Sequence, residues 1–179
     1  MRARILLRHA ATLGLLCGFA AFVVPLAGLA TSTPDRPLRV VIIRHGEKSA
    51  HGDNLSCQGE NRALRLPAVL YRKFQRPDYV FVPATENGES TAHARMFETI
   101  IPFAVKYDLP VNSEFRLDAY SALADSVLRK TGTVLLVWQH EAIPLLAAQL
   151  GVSNPPEWKA DDFDSIWVIA FVDGKASLS

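Results

Sequence analysis

Cysteine is nearly absent: the 179 residues hold two, Cys17 and Cys57. Cys17 lies in an apolar N-terminal run, and once that run is set aside Cys57 has no partner. That excludes an intramolecular disulfide and any zinc site built on thiolates. The fold then rests on its apolar core, and a hydrophobic content of 49% is enough for one domain. Surplus charge is missing as well, since 19 Lys and Arg face 18 Asp and Glu for a net of +1. Repeats, low-complexity segments and a paired-histidine HExxH motif are also absent, so neither a solenoid nor a zincin is indicated.

What is present begins with a leader-like segment. Arg2, Arg4 and Arg8 form a positive start, and from Ala10 to Ala30 only Thr12 is clearly polar. Gly28-Leu29-Ala30 supplies the small-x-small pattern of a signal-peptidase site, so residues 1–30 read as a signal peptide cleaved after Ala30. The alternative is an uncleaved anchor, because the run is long enough to span a bilayer. A lipoprotein reading on Cys17 is set aside because Leu15-Leu16 are too bulky. The working part is therefore expected to be exported, into a bacterial periplasm or tethered to the inner membrane by residues 10–30. Cleavage removes three basic residues and no acid, leaving 16 against 18 and a net charge of −2. No general nucleic-acid or anionic-membrane binder has that balance, and membrane contact is confined to the N-terminal segment.

Residues 31–37 contain two prolines and no periodicity and read as a linker to a domain over 38–179. In that domain strand-like and helix-like stretches alternate. Leu38–Ile43, Tyr79–Val82, Val111–Leu117, Thr133–Trp138 and Ser165–Val172 predict strands. Ser56 to about Phe74, Thr91 to about Tyr107, Ala119–Lys130 and Ala142–Leu150 predict helices, the first capped by Ser56. Pro67 and Pro102 fall inside helices and are expected to kink or split them. Alternation of this kind predicts a three-layer α/β/α sandwich around a mostly parallel sheet, whose ligands bind beyond the carboxyl ends of the strands.

The first strand, VVII, runs into Arg44-His45-Gly46-Glu47-Lys48, and TVLLVW runs through Gln139 into His140. Both imidazoles are thus expected on one rim. A lone histidine there most simply caps a strand, but two at equivalent places with basic neighbours suggest a site. Arg44 and Lys48 would repel a metal dication and suit an anion. Arginine offers phosphate a planar fork, lysine a point charge, and a neutral imidazole among them can act as nucleophile.

These residues carry a family resemblance. Leu38–Lys48 resembles the opening strand and RHG motif of the histidine phosphatase superfamily, the phosphoglycerate mutase-like phosphatases. Leu55-Ser56-Cys57-Gln58-Gly59 is similar to the family's L-[ST]-x-x-G, Arg95-Met96-Phe97-Glu98-Thr99 to its R-x-x-[QE]-T, and His140 stands where the family has its second histidine. The resemblance spans about Leu38 to Val172. It implies a metal-independent, cofactor-free enzyme in which His45 becomes a phosphohistidine, Arg44 and Arg95 hold the phosphoryl oxygens, and His140 stabilises the same charge. Lys48 occupies the place of the second Arg in the RHGxRxP pattern of the acid phosphatase branch and is a further substrate-binding residue, although Ser49 replaces that branch's proline and the chain is too short for its helical cap. Two residues compete for the general acid: Glu141, placed like the acid of that branch's HD motif, and Asp118, where mutase-like members have a glutamate. The expected partner is a small phosphorylated substrate. The resemblance also leaves open a phosphate-binding or signalling module that kept the fold without turnover and, further off, a phosphomutase.

Overall fold

The computed structural model describes residues 36–86, 88 and 91–179. The signal peptide or anchor at residues 1–30, and most of the 31–37 linker, lie outside those residues. Among the described residues no helix is long and apolar enough to cross a membrane.

Six strands and four helices alternate: β1 (Arg39–Arg44), α1 (Cys57–Phe74), β2 (Tyr79–Phe81), α2 (Ala94–Tyr107), β3 (Val111–Asn112), α3 (Tyr120–Leu128), β4 (Thr133–Trp138), α4 (Ile143–Gln149), β5 (Trp167–Val172) and β6 (Lys175–Leu178). They form one sheet in the order β3-β2-β4-β1-β5-β6. β3, β2, β4 and β1 run parallel, while β5 is antiparallel to β1 and β6 to β5. β1 is apolar from Val40 to Ile43 because both of its faces are covered. Val41 and Ile43 pack with Leu70 of α1 and Ile100 and Phe103 of α2. Val40 and Ile42 pack with Leu123 of α3 and Ile143 and Leu146 of α4. This is the expected three-layer sandwich.

Several local expectations change. Neither proline splits its helix: α1 and α2 run unbroken through Pro67 and Pro102. One missing backbone bond is outweighed by the packing of the helix face, and the Pro67 ring is itself buried. The third strand stops at Asn112 rather than Leu117, because the Asn112 side chain accepts from the Glu114 N–H and turns the chain out of the ladder. β6 was not anticipated; it is the return arm of a hairpin whose turn, Asp173-Gly174, holds two positive φ angles.

The register that matters for function is the pairing of Arg44 with Trp138 across β1 and β4. It brings the two strand ends level, and the His45 N–H donates to the Trp138 carbonyl at 3.1 Å. The residues that follow, His45 on one strand and Gln139-His140 on the other, are thereby set side by side on the sheet's carboxyl rim.

Candidate active site

His45 is 4% exposed and Arg44 5%, which is deep for two basic side chains. Their burial follows from the chain path. After β1 the chain turns against the start of α1, where Ser56 caps the helix by accepting from the Gly59 N–H at 3.2 Å. Gly46 and Gly59 meet there backbone to backbone. A Cβ on Gly59 would lie 2.3 Å from the Glu47 carbonyl oxygen, and one on Gly46 would lie 3.0 Å from that of Gly59. Gly59 leaves no room for a Cβ, and at Gly46 one would crowd the Gly59 backbone, because the two segments touch.

The turn is fixed from a third side by α2. The Thr99 hydroxyl accepts from the Gly46 N–H at 2.9 Å and donates to the Arg95 carbonyl at 2.7 Å, and the Glu98 carboxylate accepts from the Leu55 N–H at 2.9 Å. Glu47 points away and accepts from Arg62 and Gln58. That pairing holds the Glu47 carboxyl below the usual carboxylate range.

The His45 ring is oriented by its neighbour's backbone. Nδ1 lies 2.6 Å from the Gly46 carbonyl, which only accepts, so Nδ1 carries the proton and Nε2 keeps its lone pair. Burial, reinforced by the charges of Arg95, Arg44 and His140 and opposed by the bond to Gly46, lowers the ring's pKa to about 4. The imidazole is neutral at neutral pH.

Arg44 is gripped by the loop before β5. Its Nη1 donates to the carbonyls of Ala160 and Asp162, both at 2.9 Å, and of Lys159 at 3.3 Å, while Nη2 faces His140 Nδ1 at 3.3 Å. Burial lowers its pKa, and nearby acids, Asp162 first, oppose that. His140 Nδ1 also lies 3.5 Å from the Glu141 carboxylate. The two contacts exclude each other, since arginine requires a lone pair on Nδ1 and the carboxylate requires a proton. Burial and Arg44 push the His140 pKa down, and Lys48 adds to this against the opposing pull of Glu141. The ring is therefore neutral, and the closer contact, with an arginine that can only donate, places the lone pair on Nδ1 and the proton on Nε2. Arg95 donates to the Asp53 carbonyl at 3.1 Å and approaches its carboxylate at 3.4 Å.

The expected residues thus divide. Arg44, His45, His140 and Arg95 act on one another: the charges of Arg95, Arg44 and His140 each depress His45. Lys48 is exposed in the turn after β1, in an isolated bridge with Leu55, and its charge reaches His140. Glu141 is 64% exposed, and Gln139 and His140 overcome its partial burial to hold its carboxyl below the usual range, the wrong direction for a proton donor near neutrality. Asp118 is 71% exposed beside Arg116. Sequence reasoning missed Phe163, whose ring lies 3.7 Å from the Arg44 guanidinium carbon, and the carbonyls of 159–162. The acids of that loop do not oppose an anion at Arg44: Asp162 presents its carbonyl there and turns its carboxylate to Ser165, and Asp164 pairs with Arg62. Among the described residues no group of three His, Cys, Asp or Glu forms a metal site.

No protein-family model matches the sequence, and no curated protein matches it. Solved structures do match. A mycobacterial glucosyl-3-phosphoglycerate phosphatase with inorganic phosphate superposes with a TM-score of 0.56 at 15% identity, over 79% of this chain and 95% of that one. The alpha-ribazole phosphatase of Shigella flexneri gives 0.54 at 16% identity, over 79% and 94%. A phosphoserine phosphatase of Entamoeba histolytica, in complex with 3-phosphoglyceric acid, gives 0.53 at 15%, over 79% and 95%. The chain has the phosphoglycerate mutase-like fold. Within that fold the His45–His140 rim is the carboxyl edge of the parallel strands, where such sheets take their ligands.

Proposed function

We propose that the protein is a histidine phosphatase that hydrolyses phosphate monoesters or phosphohistidine through a phospho-His45 intermediate. One observation carries this reading: a buried histidine, neutral by burial and surrounding charge, with Nδ1–H committed to a carbonyl and Nε2 free. Such a ring is a nucleophile with its attacking nitrogen already deprotonated. A second supports it. The Nε atoms of Arg44 and Arg95 are buried without a partner in the protein; Arg39 Nε at the far end of β1 is too, but only the first two belong to the His45 site, where an anion could take them.

In the first step Nε2 of His45 attacks phosphorus in line, a new P–N bond forms, and the bond from phosphorus to the leaving group breaks, P–O in a monoester and P–N in phosphohistidine. Arg44, Arg95 and the Nε2–H of His140 hold the equatorial oxygens where negative charge gathers. In the second, water attacks phosphorus, the P–N bond breaks, and phosphate leaves with His45 restored. Lys48 adds a mobile positive charge at the mouth. The exposed acids leave the first step without a buried donor, which favours substrates with good leaving groups. The leader-like N-terminus supports export, with the domain acting outside the cytoplasm, where a glycolytic mutase has no substrate.

The experiment is phosphate release from an aryl phosphate by the purified protein. Turnover without added metal, lost in His45→Ala, is the expected result. Equal inertness of wild type and variant, with phosphate still bound, would assign a binding module instead. A rate abolished by chelator would overturn the mechanism.

A further inference from the structure

We propose that Phe163 is a positioning residue for Arg44, and that the loop carrying it selects which edge of the guanidinium faces the phosphoryl group. The inference rests on the phosphatase reading above and adds to it a residue that acts through Arg44.

Arg44 has five N–H donors in one plane. The three carbonyls of Lys159, Ala160 and Asp162 use those of Nη1, and His140 Nδ1 takes one of Nη2. What remains is Nε–H, buried and unpartnered, and the second Nη2 hydrogen. These two lie along one edge of the fork and form the bidentate pair that phosphate oxygens match. Hydrogen bonds within the plane do not stop the plane from tilting. The Phe163 ring, 3.7 Å from Cζ, supplies the missing restraint, by cation–π attraction and by contact.

The loop is built to hold that position. Trp158 is buried against Trp167, and its Nε1–H donates to the Asp162 carbonyl at 2.9 Å, the same oxygen that Arg44 uses. The Asp162 carboxylate accepts from the N–H groups of Asp164 and Ser165, both at 3.0 Å, closing the turn around Phe163. Arg62 pairs with Asp164 and Glu47 and lies 5.8 Å from the ring, so the loop is tied to α1 and to the turn that carries His45. Phe163 and Arg44 also share the wall of an open cleft of about 710 Å³. Without the ring, water from that cleft would reach the guanidinium and weaken its field.

The test compares Phe163→Leu, which keeps apolar bulk without a π face, with Phe163→Tyr, which keeps the face. In Phe163→Leu the dissociation constant of inorganic phosphate should rise roughly 5- to 30-fold and kcat on an aryl phosphate should fall by a similar factor. The loss should be equal for two aryl phosphates with different leaving groups, because only the phosphoryl end is affected. Phe163→Tyr should stay within about 2-fold of wild type in both. If Phe163→Leu does not fold, Phe163→Met takes its place with the same expected loss. The proposal is overturned if an active wild type and a folded Leu or Met variant share one phosphate affinity and one kcat, or if the Tyr variant loses as much as the Leu variant. A wild type that neither turns over nor binds phosphate would instead bring down the phosphatase reading, and the clamp with it.

Discussion

The His45 ring and the Gly46 carbonyl are joined by a 2.6 Å hydrogen bond between adjacent residues, a contact that fixes the tautomer of the candidate nucleophile. Together with burial, it makes His45 a group whose proton inventory differs between folded and unfolded chains.

The sign follows from linkage. The ring's pKa falls from 6.5 to about 4 on folding. Between those values the unfolded chain binds more protons than the folded one, so stability rises with pH across that window and is complete above it. For a residue this buried the contribution is on the order of 3 kcal/mol. The His45 Cε1–H resonance should titrate with a midpoint near 4, and the urea-unfolding free energy should climb from pH 4 to 6.5 less steeply in His45→Gln than in wild type. A midpoint above 6 would contradict the buried neutral ring.

Gly59→Ala separates backbone contact from helix propensity. In the first turn of a helix, alanine should stabilise by up to about 1 kcal/mol. Here its Cβ would sit 2.3 Å from the Glu47 carbonyl oxygen, a backbone atom that cannot swing aside. The expected result is a destabilisation of about 1–3 kcal/mol by chemical denaturation, with reduced phosphate affinity because the displaced segment carries His45. A stabilised Gly59→Ala would show that the two glycines do not set the turn.

That contact shows what the sequence could disclose. The strand-ending histidines were legible because a fully apolar run followed by charge has one physical reading: a covered strand opening at a rim. Arg95 was not legible from composition; it entered through the R-x-x-E-T resemblance alone. The structure supplies the motif's physics, with Glu98 bonded to Leu55 N–H and Thr99 to Gly46 N–H, both contacts across more than forty residues that local patterning cannot express. Phe163 and the 159–162 carbonyls escaped for the same reason. The carbonyls act as backbone oxygens, which carry no residue identity, and an aromatic among three acids reads as a surface turn. Pro67 misled because propensity is local while the packing that overrides it is not.

Thr99→Val follows from this. The substitution keeps the shape and removes the oxygen that accepts from Gly46 N–H in a fully buried setting. An orphaned buried N–H costs about 1–3 kcal/mol, so Thr99→Val should unfold at correspondingly lower urea, and Thr99→Ser should recover most of the loss. The same pair should differ in kcat, since Gly46 carries the carbonyl that orients His45. Equal stability of Val and Ser variants would assign Thr99 a packing role only.

The proton donor is the point on which sequence and structure part. Both sequence-placed acids lie in the open, and the bond from Gln139 and the charge of Arg44 help keep Glu141 ionised. A carboxyl that is already deprotonated at neutral pH has no proton to give, whereas a working acid would be raised by burial. Glu141→Gln and Asp118→Asn should therefore each retain aryl-phosphate turnover within about 3-fold, far less than the 100-fold or more expected from loss of a general acid. Rates on alkyl phosphates, whose leaving groups need protonation most, make the comparison stringent. A loss of that larger size in either variant, growing with leaving-group pKa, would identify that residue as the acid and would require the loop that bears it to close over the bound ester.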